Sequence, residues 1–477
     1  MKKSKSKKGI SFYQKTKKYF LDNKWIFLLL VLVITFFIWQ RATNMGWDIL
    51  VYILNVKYWF DKGSFFESVA SPLSSFLIGI FSFAGWKTSE YIYIIFVAIL
   101  HLFSSIKFAE KFKINKLLFY ALSLSPFLLY NGLLNGTELL SLSLLQLFIA
   151  YLGSKKSPFF LGLSFLARSS NLIFCPLLIF TKNWKKLLRD ILILIITIAP
   201  WFIFDYLTTG SPFTSFMNSY ALNVKFRSYI HQPVNFIHVL TVLSYLLPLG
   251  LAGIILKGKE TKLKSKNFWI MIFLIILTFI GYARTPIKDG RYLFTLLLPF
   301  TYFSVIALGK LKKKILVFIM ILLILLSLGS GVMFNLDSMK NPRTQAKTYV
   351  DAINETRDKI DGCRVCSNAY LQLNYLGVVS ERAPDRRLLS YRLGEGCKVL
   401  LFKQYAEPDY VNDKDFLSNF PVLKETNNYI LLGNSSCAPI RKVNQTYLES
   451  VDELYRVAYN SSYKITFYEL FFTDKSA

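Results

Sequence analysis

Long apolar runs separated by short basic clusters limit this chain more than any other feature. Runs such as Trp25–Trp39, Leu187–Phe204, Phe268–Ile280 and Ile315–Leu328 carry almost no charge. Each approaches the roughly 20 residues needed to cross a hydrocarbon core of about 30 Å. The chain has 477 residues and is 53% hydrophobic, so a polytopic membrane fold is the reading that accounts for these runs. The net charge of +28 does not point to nucleic acid, because the bases flank apolar segments and form no soluble basic face.

Charge placement predicts orientation. The N-terminus carries a lysine run from Lys2 to Lys18, with Lys24 at the membrane edge, and reads as cytoplasmic. The first span lacks a small-residue cleavage site and reads as a retained anchor. Spans are expected near 24–40, 89–106, 117–131, 137–153, 157–168, 171–182, 187–206, 237–256, 267–283, 292–309 and 314–334. Segment 71–86 is expected to lie on the outer interface, since counting it as a span would move the basic loops outside. With this parity, 28 membrane-domain bases lie inside and 10 outside. Loop bias of that size orients membrane proteins. The expected fold class is thus an all-α polytopic domain of about 11 transmembrane helices, followed by a small extracytoplasmic α/β or α+β domain. Its parts are a basic cytoplasmic segment (1–23), the membrane domain (24–336) and the soluble domain (337–477).

The last part differs in composition, with nearly balanced charge. Helix-like 344–360 precedes strand-like 398–402, 428–433 and 464–470. Cys363, Cys366, Cys397 and Cys437 are here, with N-x-S/T sequons at Asn354, Asn434, Asn444 and Asn460. Both fit an extracytoplasmic location. Four cysteines allow three pairings. A zinc site and a Cys363–Cys366 redox pair are lesser readings of the same residues.

Through Asp337 only 12 acids face 38 bases, and eight of those acids fall on the outer side: Asp48, Asp61, Glu67, Glu90, Glu138, Asp205, Asp289 and Asp337. Carboxylates kept on one face of a membrane protein point to chemistry or ligand binding there. Asp48, Tyr52, Asn55 and Trp59 follow helical spacing and share one stripe; an interfacial helix with ordinary aromatic anchors would look the same. Glu138 opens a span, where it would serve equally as a dipole partner beside a Thr137 or Asn135 cap. Asp289 and Arg291 could form a plain surface pair. Among the outer bases, Arg168 lies between two short apolar helices, where it must pair or reach water. Lys225, Arg227 and Arg291 complete a set suited to an anionic ligand such as a lipid phosphate. His231 is a candidate ligand or proton shuttle, although a loop histidine without function is commoner.

In order, these residues resemble the membrane glycosyltransferases of the C superfamily, particularly the protein O-mannosyltransferase and lipid A aminoarabinose transferase branch and its archaeal relatives. The resemblance covers roughly residues 20–335. It rests on Asp48 after the first span, Pro72 in SPLSS, Glu138 in NGTE, Arg168 in LARSSN, and Arg291 with Tyr292 in RYLFTLLLP. Ile49 follows Asp48 where the family often has a second acid, and Ala70 stands where an Arg is common. The resemblance implies an inverting glycosyltransferase that moves a sugar from a polyprenyl-phosphate donor to an extracytoplasmic acceptor, with Asp48 as the catalytic residue. The substrate-binding set is Tyr52, Asn55, Glu67, Glu138, Arg168, Lys225, Arg227, His231, Asp289, Arg291 and Tyr292. No cofactor is certain from the sequence; a divalent metal such as Mg or Mn is the candidate, with Asp48, Glu67 and Glu138 as its ligands. The partners are the donor, the acceptor and the bilayer. A lipid transporter or flippase and a non-catalytic scaffold are the alternatives. Transporters usually show repeat symmetry and mid-membrane polar groups, and neither is evident here.

Overall fold

The computed structural model describes residues 24–134, 136–181, 183–224, 232–261 and 264–445, with residues 453, 456 and 457. Six helices among them are long and apolar enough to span a bilayer: Lys24–Thr43, Trp86–Phe112, Trp184–Thr209, Lys266–Arg284, Gly290–Leu308 and Lys313–Lys340. A seventh candidate is the pair Phe236–Leu243 and Leu246–Glu260, bent by 90° at Ser244, which has φ 47°. The chain is a multi-pass membrane protein. Only 11% of the apolar window is buried within the protein for Trp184–Thr209 and for Lys313–Lys340, against 78% for Gly290–Leu308. The first two therefore present their sides to lipid, and the last runs through the middle of the bundle.

The other four expected spans are shorter than a span requires. The 117–131 run breaks into Lys116–Ser123 and Pro126–Asn131. Ser125 caps the second piece and Pro126 takes its first turn, a position proline tolerates while ending the helix before it. The 137–153 run is Glu138–Ala150, with all 13 residues buried. The 157–168 run is Lys156–Ala167. The 171–182 run is a 3-10 helix, Ser169–Thr181, whose rise of about 2.0 Å per residue lets 13 residues reach about 26 Å. Segment 71–86 forms the nine-residue helix Pro72–Ile80 and a turn at Ser82–Ala84, too short to cross.

Small and polar residues bring the helices together. A Cβ on Gly253 would run into the Phe303 carbonyl, and one on Gly250 into the Phe300 ring. Close backbone approach of this kind replaces the hydrophobic drive that lipid cannot supply. His101 sits between Ser123 (2.9 Å) and Ser143 (3.2 Å), and Ser104 donates to Gln146 at 2.6 Å. These bonds satisfy polar groups that lie far from water.

Past the last long helix comes helix Ala346–Ile360, then a mixed sheet. A short strand β1 (Phe65–Glu67) belongs to the first loop; the sheet contains β2 (Val365–Ser367), β3 (Ser380–Arg382), β4 (Lys398–Phe402), β5 (Val422–Glu425) and β6 (Tyr429–Leu432), in the order β3-β2-β4-β6-β5. β2 is parallel to β3 and β4, and β6 is antiparallel to β4 and β5. The expected helix and the strands at 398–402 and 428–433 are present; 464–470 lies outside the described residues. The cysteines pair as Cys363–Cys437 and Cys366–Cys397. Each member of the C-x-x-C bonds elsewhere, so the zinc and redox readings fall.

This part is docked on the first loop. β7 (Val443–Gln445) pairs in parallel with β1, and Met45 N–H donates to the Thr344 carbonyl at 2.9 Å. Tyr375 donates to Glu90 at 2.9 Å, and Glu90 is ion-paired with the buried Arg41 at 2.6 Å. Replacing Gly253 by Leu should overpack the helix contact and cost about 1–3 kcal/mol. Gly329→Leu, where a Cβ meets open space, should leave the melting midpoint of the detergent-solubilised protein unchanged. Equal midpoints for the two variants would contradict this packing.

Candidate functional site

Four segments bring four charged side chains together. Asp48 is in the first turn of helix Trp47–Trp59. Gly46 before it passes so close to the Leu134 carbonyl that a side chain would clash. Glu138 begins helix Glu138–Ala150. Thr137 does not cap that helix; its hydroxyl donates to the Ala167 carbonyl at 2.8 Å, next to Arg168. Arg168 is the extended residue between helix Lys156–Ala167 and the 3-10 helix after it. Arg291 follows Asp289, whose carboxylate accepts from Arg291 N–H at 2.8 Å and caps the 3-10 turn Gly290–Leu296.

The side chains form an alternating chain of charge. Arg291 Nη2 donates to Asp48 Oδ2 at 2.6 Å, and Arg291 Nε donates to Glu138 Oε1 at 2.8 Å. Arg168 Nη1 donates to the same Glu138 oxygen at 2.6 Å, and Arg168 Nη2 to the Arg291 carbonyl at 3.3 Å. The Arg168 guanidinium lies 4.9 Å over the Phe294 ring and 5.8 Å over Tyr292. Side-chain exposure rises from 0% at Glu138 through 15% at Arg168 to 28% at Arg291 and 29% at Asp48. The buried end is thus structural anchorage and the Asp48 end is open. Two carboxylates balance two guanidinia, as burial of this many charges demands.

The open end faces a cavity of about 400 Å³ lined by Trp47, Asp48, His238, Thr241, Asp289 and Arg291, among others. His238 Nδ1 lies 2.8 Å from the Tyr282 hydroxyl. Sequence reasoning favoured His231 and missed His238. The available signal was Asn235, His238 and Thr241 at helical spacing on one face.

The remaining candidates occupy other places. Tyr52 is buried one turn beyond Asp48, and burial, then the Asp48 and Glu138 charges, push its phenol well above the usual range. The Asn55 amide bonds the Glu67 backbone in both directions, at 2.8 Å each, and so holds β1. The Glu67 carboxylate accepts at 3.2 Å from Tyr370, which opens the short helix Tyr370–Tyr375 of the docked C-terminal part. Burial raises the carboxylate's pKa, against Arg382 and the Tyr370 bond. Asp205 accepts from Ser215 N–H and Oγ at 2.9 and 2.8 Å and starts helix Thr214–Asn223. Lys225, Arg227 and His231 lie outside the described residues. The plain Asp289–Arg291 surface pair is not what forms, because the guanidinium turns to Asp48 and Glu138.

The carboxylates named for a divalent metal are not gathered. Among the described residues no group of three His, Cys, Asp or Glu could hold an ion. Asp48 and Glu138 are separated by Arg291, and Glu67 is committed to Tyr370.

Breaking the sealed end should cost more than breaking the open end. Glu138→Gln leaves two guanidinia short of their shared partner, a loss of about 3–5 kcal/mol for buried pairs. Asp48→Asn loosens a pair that water reaches, worth about 0–1 kcal/mol. Melting midpoints in detergent should therefore fall much further for Glu138→Gln, and the reverse order would contradict this geometry.

No family model matches the sequence, and no curated protein does. Solved structures do share the fold. ArnT from Cupriavidus metallidurans bound to undecaprenyl phosphate aligns with a TM-score of 0.61 at 10% identity, over 88% of this chain and 100% of that one. The same protein in the apo state aligns with a TM-score of 0.58 at 10% identity, over 86% and 98%. The mycobacterial arabinofuranosyltransferase AftD aligns at 0.48 with 11% identity, over 80% of this chain and 35% of that one. The resemblance read from the sequence therefore holds at the level of fold: this chain is folded like ArnT, a lipid A aminoarabinose transferase and membrane glycosyltransferase of the C superfamily.

Proposed function

We propose that this protein is an inverting membrane glycosyltransferase that takes a sugar from a polyprenyl-phosphate donor and places it on an extracytoplasmic acceptor. The observation that carries the reading is the Asp48–Arg291–Glu138–Arg168 chain, open at Asp48 onto a cavity. It occurs in a fold shared with a protein solved with undecaprenyl phosphate bound.

Asp48 is the general base. It takes the proton from the acceptor nucleophile as that atom bonds to the anomeric carbon. The bond from that carbon to the phosphate oxygen breaks, and its electron pair stays on the phosphate. The products are the inverted glycoside, polyprenyl phosphate and a protonated Asp48, which then releases its proton to water. Arg291 uses Nη2 and Nε for Asp48 and Glu138, which leaves Nη1 to meet the charge that develops on the leaving phosphate. Glu138 fixes both guanidinia before the substrate arrives, so little reorganisation is needed during reaction. No step is assigned to a metal.

The basic clusters support an N-terminus in the cytoplasm and the region from 337 to 477 outside. The two disulfides support the same placement. The expected eleven crossings then require the five short helices between residues 116 and 181 to make four crossings in the shelter of the bundle, where irregular backbone is tolerated. Lys225 and Arg227 remain candidates for the donor phosphate, and His231 for the acceptor.

Asp48→Asn should lower kcat for donor consumption by about 10²–10⁴-fold and leave donor KM within a few fold. The assay is release of radiolabelled sugar from polyprenyl-phosphate sugars by reconstituted protein. Turnover of Asp48→Asn within tenfold of wild type would remove Asp48 as the base.

A further inference from the structure

The sequence gives no reason to single out Trp47, yet it is held from two sides. Its ring meets Tyr370 edge-to-face, with centroids 5.3 Å apart and planes at 87°, and Tyr405 at 6.2 Å and 61°. Both tyrosines belong to the docked C-terminal part. Tyr370 is itself tied down: its hydroxyl donates to Glu67 at 3.2 Å and accepts from Arg382 at 3.1 Å, and its ring packs on Phe65 at 5.5 Å. On the other side Trp47 lines the cavity beside Asp48. An indole so braced has little freedom to turn away.

The rest of the cavity wall complements it. Asp289 lines the cavity and can accept hydrogen bonds from hydroxyls. His238 offers an imidazole, its Nδ1 2.8 Å from the hydroxyl of the buried Tyr282, which also accepts from Asn235 N–H at 3.4 Å. The cavity thus combines an aromatic surface, a carboxylate and an imidazole. A sugar ring has the matching groups: apolar C–H faces and a rim of hydroxyls that both donate and accept.

We infer that this cavity is the subsite for the transferred sugar, that Trp47 is the platform under the sugar ring, and that Tyr370 is a positioning residue through which the C-terminal part holds that platform. This rests on the glycosyltransferase reading and adds to it where the sugar sits and why the C-terminal part is needed. Trp47 and Tyr370 then act on recognition of the donor and not on the proton transfer at Asp48.

The test uses the full chain reconstituted in lipid, a panel of polyprenyl-phosphate hexoses and pentoses, and undecaprenyl phosphate without sugar. Trp47→Leu should raise donor KM about tenfold with kcat little changed, while Trp47→Phe stays within about threefold, because the aromatic face is retained. Tyr370→Leu should raise KM in the same way, and Tyr370→Phe should restore it. Binding of undecaprenyl phosphate should be equal in all four variants, since it has no sugar to place. Comparing Leu with Phe at one site, at matched melting midpoints, separates platform loss from misfolding. If wild type consumes donor and Trp47→Leu has the wild-type KM, or if Leu and Phe behave alike, the subsite is wrong while the transferase reading stands. If wild type consumes no member of the panel, the transferase reading fails and takes the subsite with it.

Discussion

The site depends on one buried carboxylate. Glu138 is fully enclosed, and one of its oxygens accepts from both Arg168 and Arg291. A carboxylate in that position is costly unless it is paired, and a guanidinium is costly there for the same reason. Each charge therefore constrains the others. Arg168 must come from the break between two short helices, Arg291 from a 3-10 turn capped by Asp289, and Glu138 from a helix start where Gly136 leaves room for its carboxylate and the Arg291 guanidinium. Once Glu138 holds Arg291, the guanidinium's remaining edge can reach Asp48, and the charge chain emerges at the cavity.

The second constraint is the junction with the C-terminal part. β1 in the first loop would be an unpaired three-residue strand without β7, and Glu67 would be a buried acid without Tyr370. The Arg41–Glu90 pair at the ends of two long helices is completed by Tyr375. First loop and C-terminal sheet thus satisfy one another's polar groups. The helix that carries Asp48 is fixed at its start by Met45, bonded to Thr344, and by Trp47, wedged against Tyr370.

Much of this was legible in the sequence, for identifiable reasons. Long apolar runs report a bilayer, and the six helices that qualify all fall within predicted spans or overlap them. Asp48, Glu138, Arg168 and Arg291 stood out because a charge beside an apolar run needs an explanation wherever it lies. Their mutual contacts could not be read, since Asp48 and Arg291 are 243 residues apart. The length of the middle helices was not legible either: hydropathy does not reveal that Pro126 divides one run or that 169–181 winds as a 3-10 helix. Asn55 looked like a ligand because it shares a stripe with Asp48, and Glu67 because it is one of the few outer acids. Only the parallel pairing of β1 with β7 shows them serving the junction. His238 was passed over for His231 because its partner, Tyr282, is 44 residues away.

The most direct test is a structure of Asp48→Asn in lipid with a non-hydrolysable polyprenyl-phosphate sugar bound. The phosphate should lie against Arg291, the sugar in the cavity beside Trp47, and the residue-48 side chain on the far side of the anomeric carbon from the phosphate. An acceptor oxygen placed between them should lie within about 3 Å of that side chain. A phosphate bound elsewhere, with the sugar remote from residue 48, would contradict this mechanism.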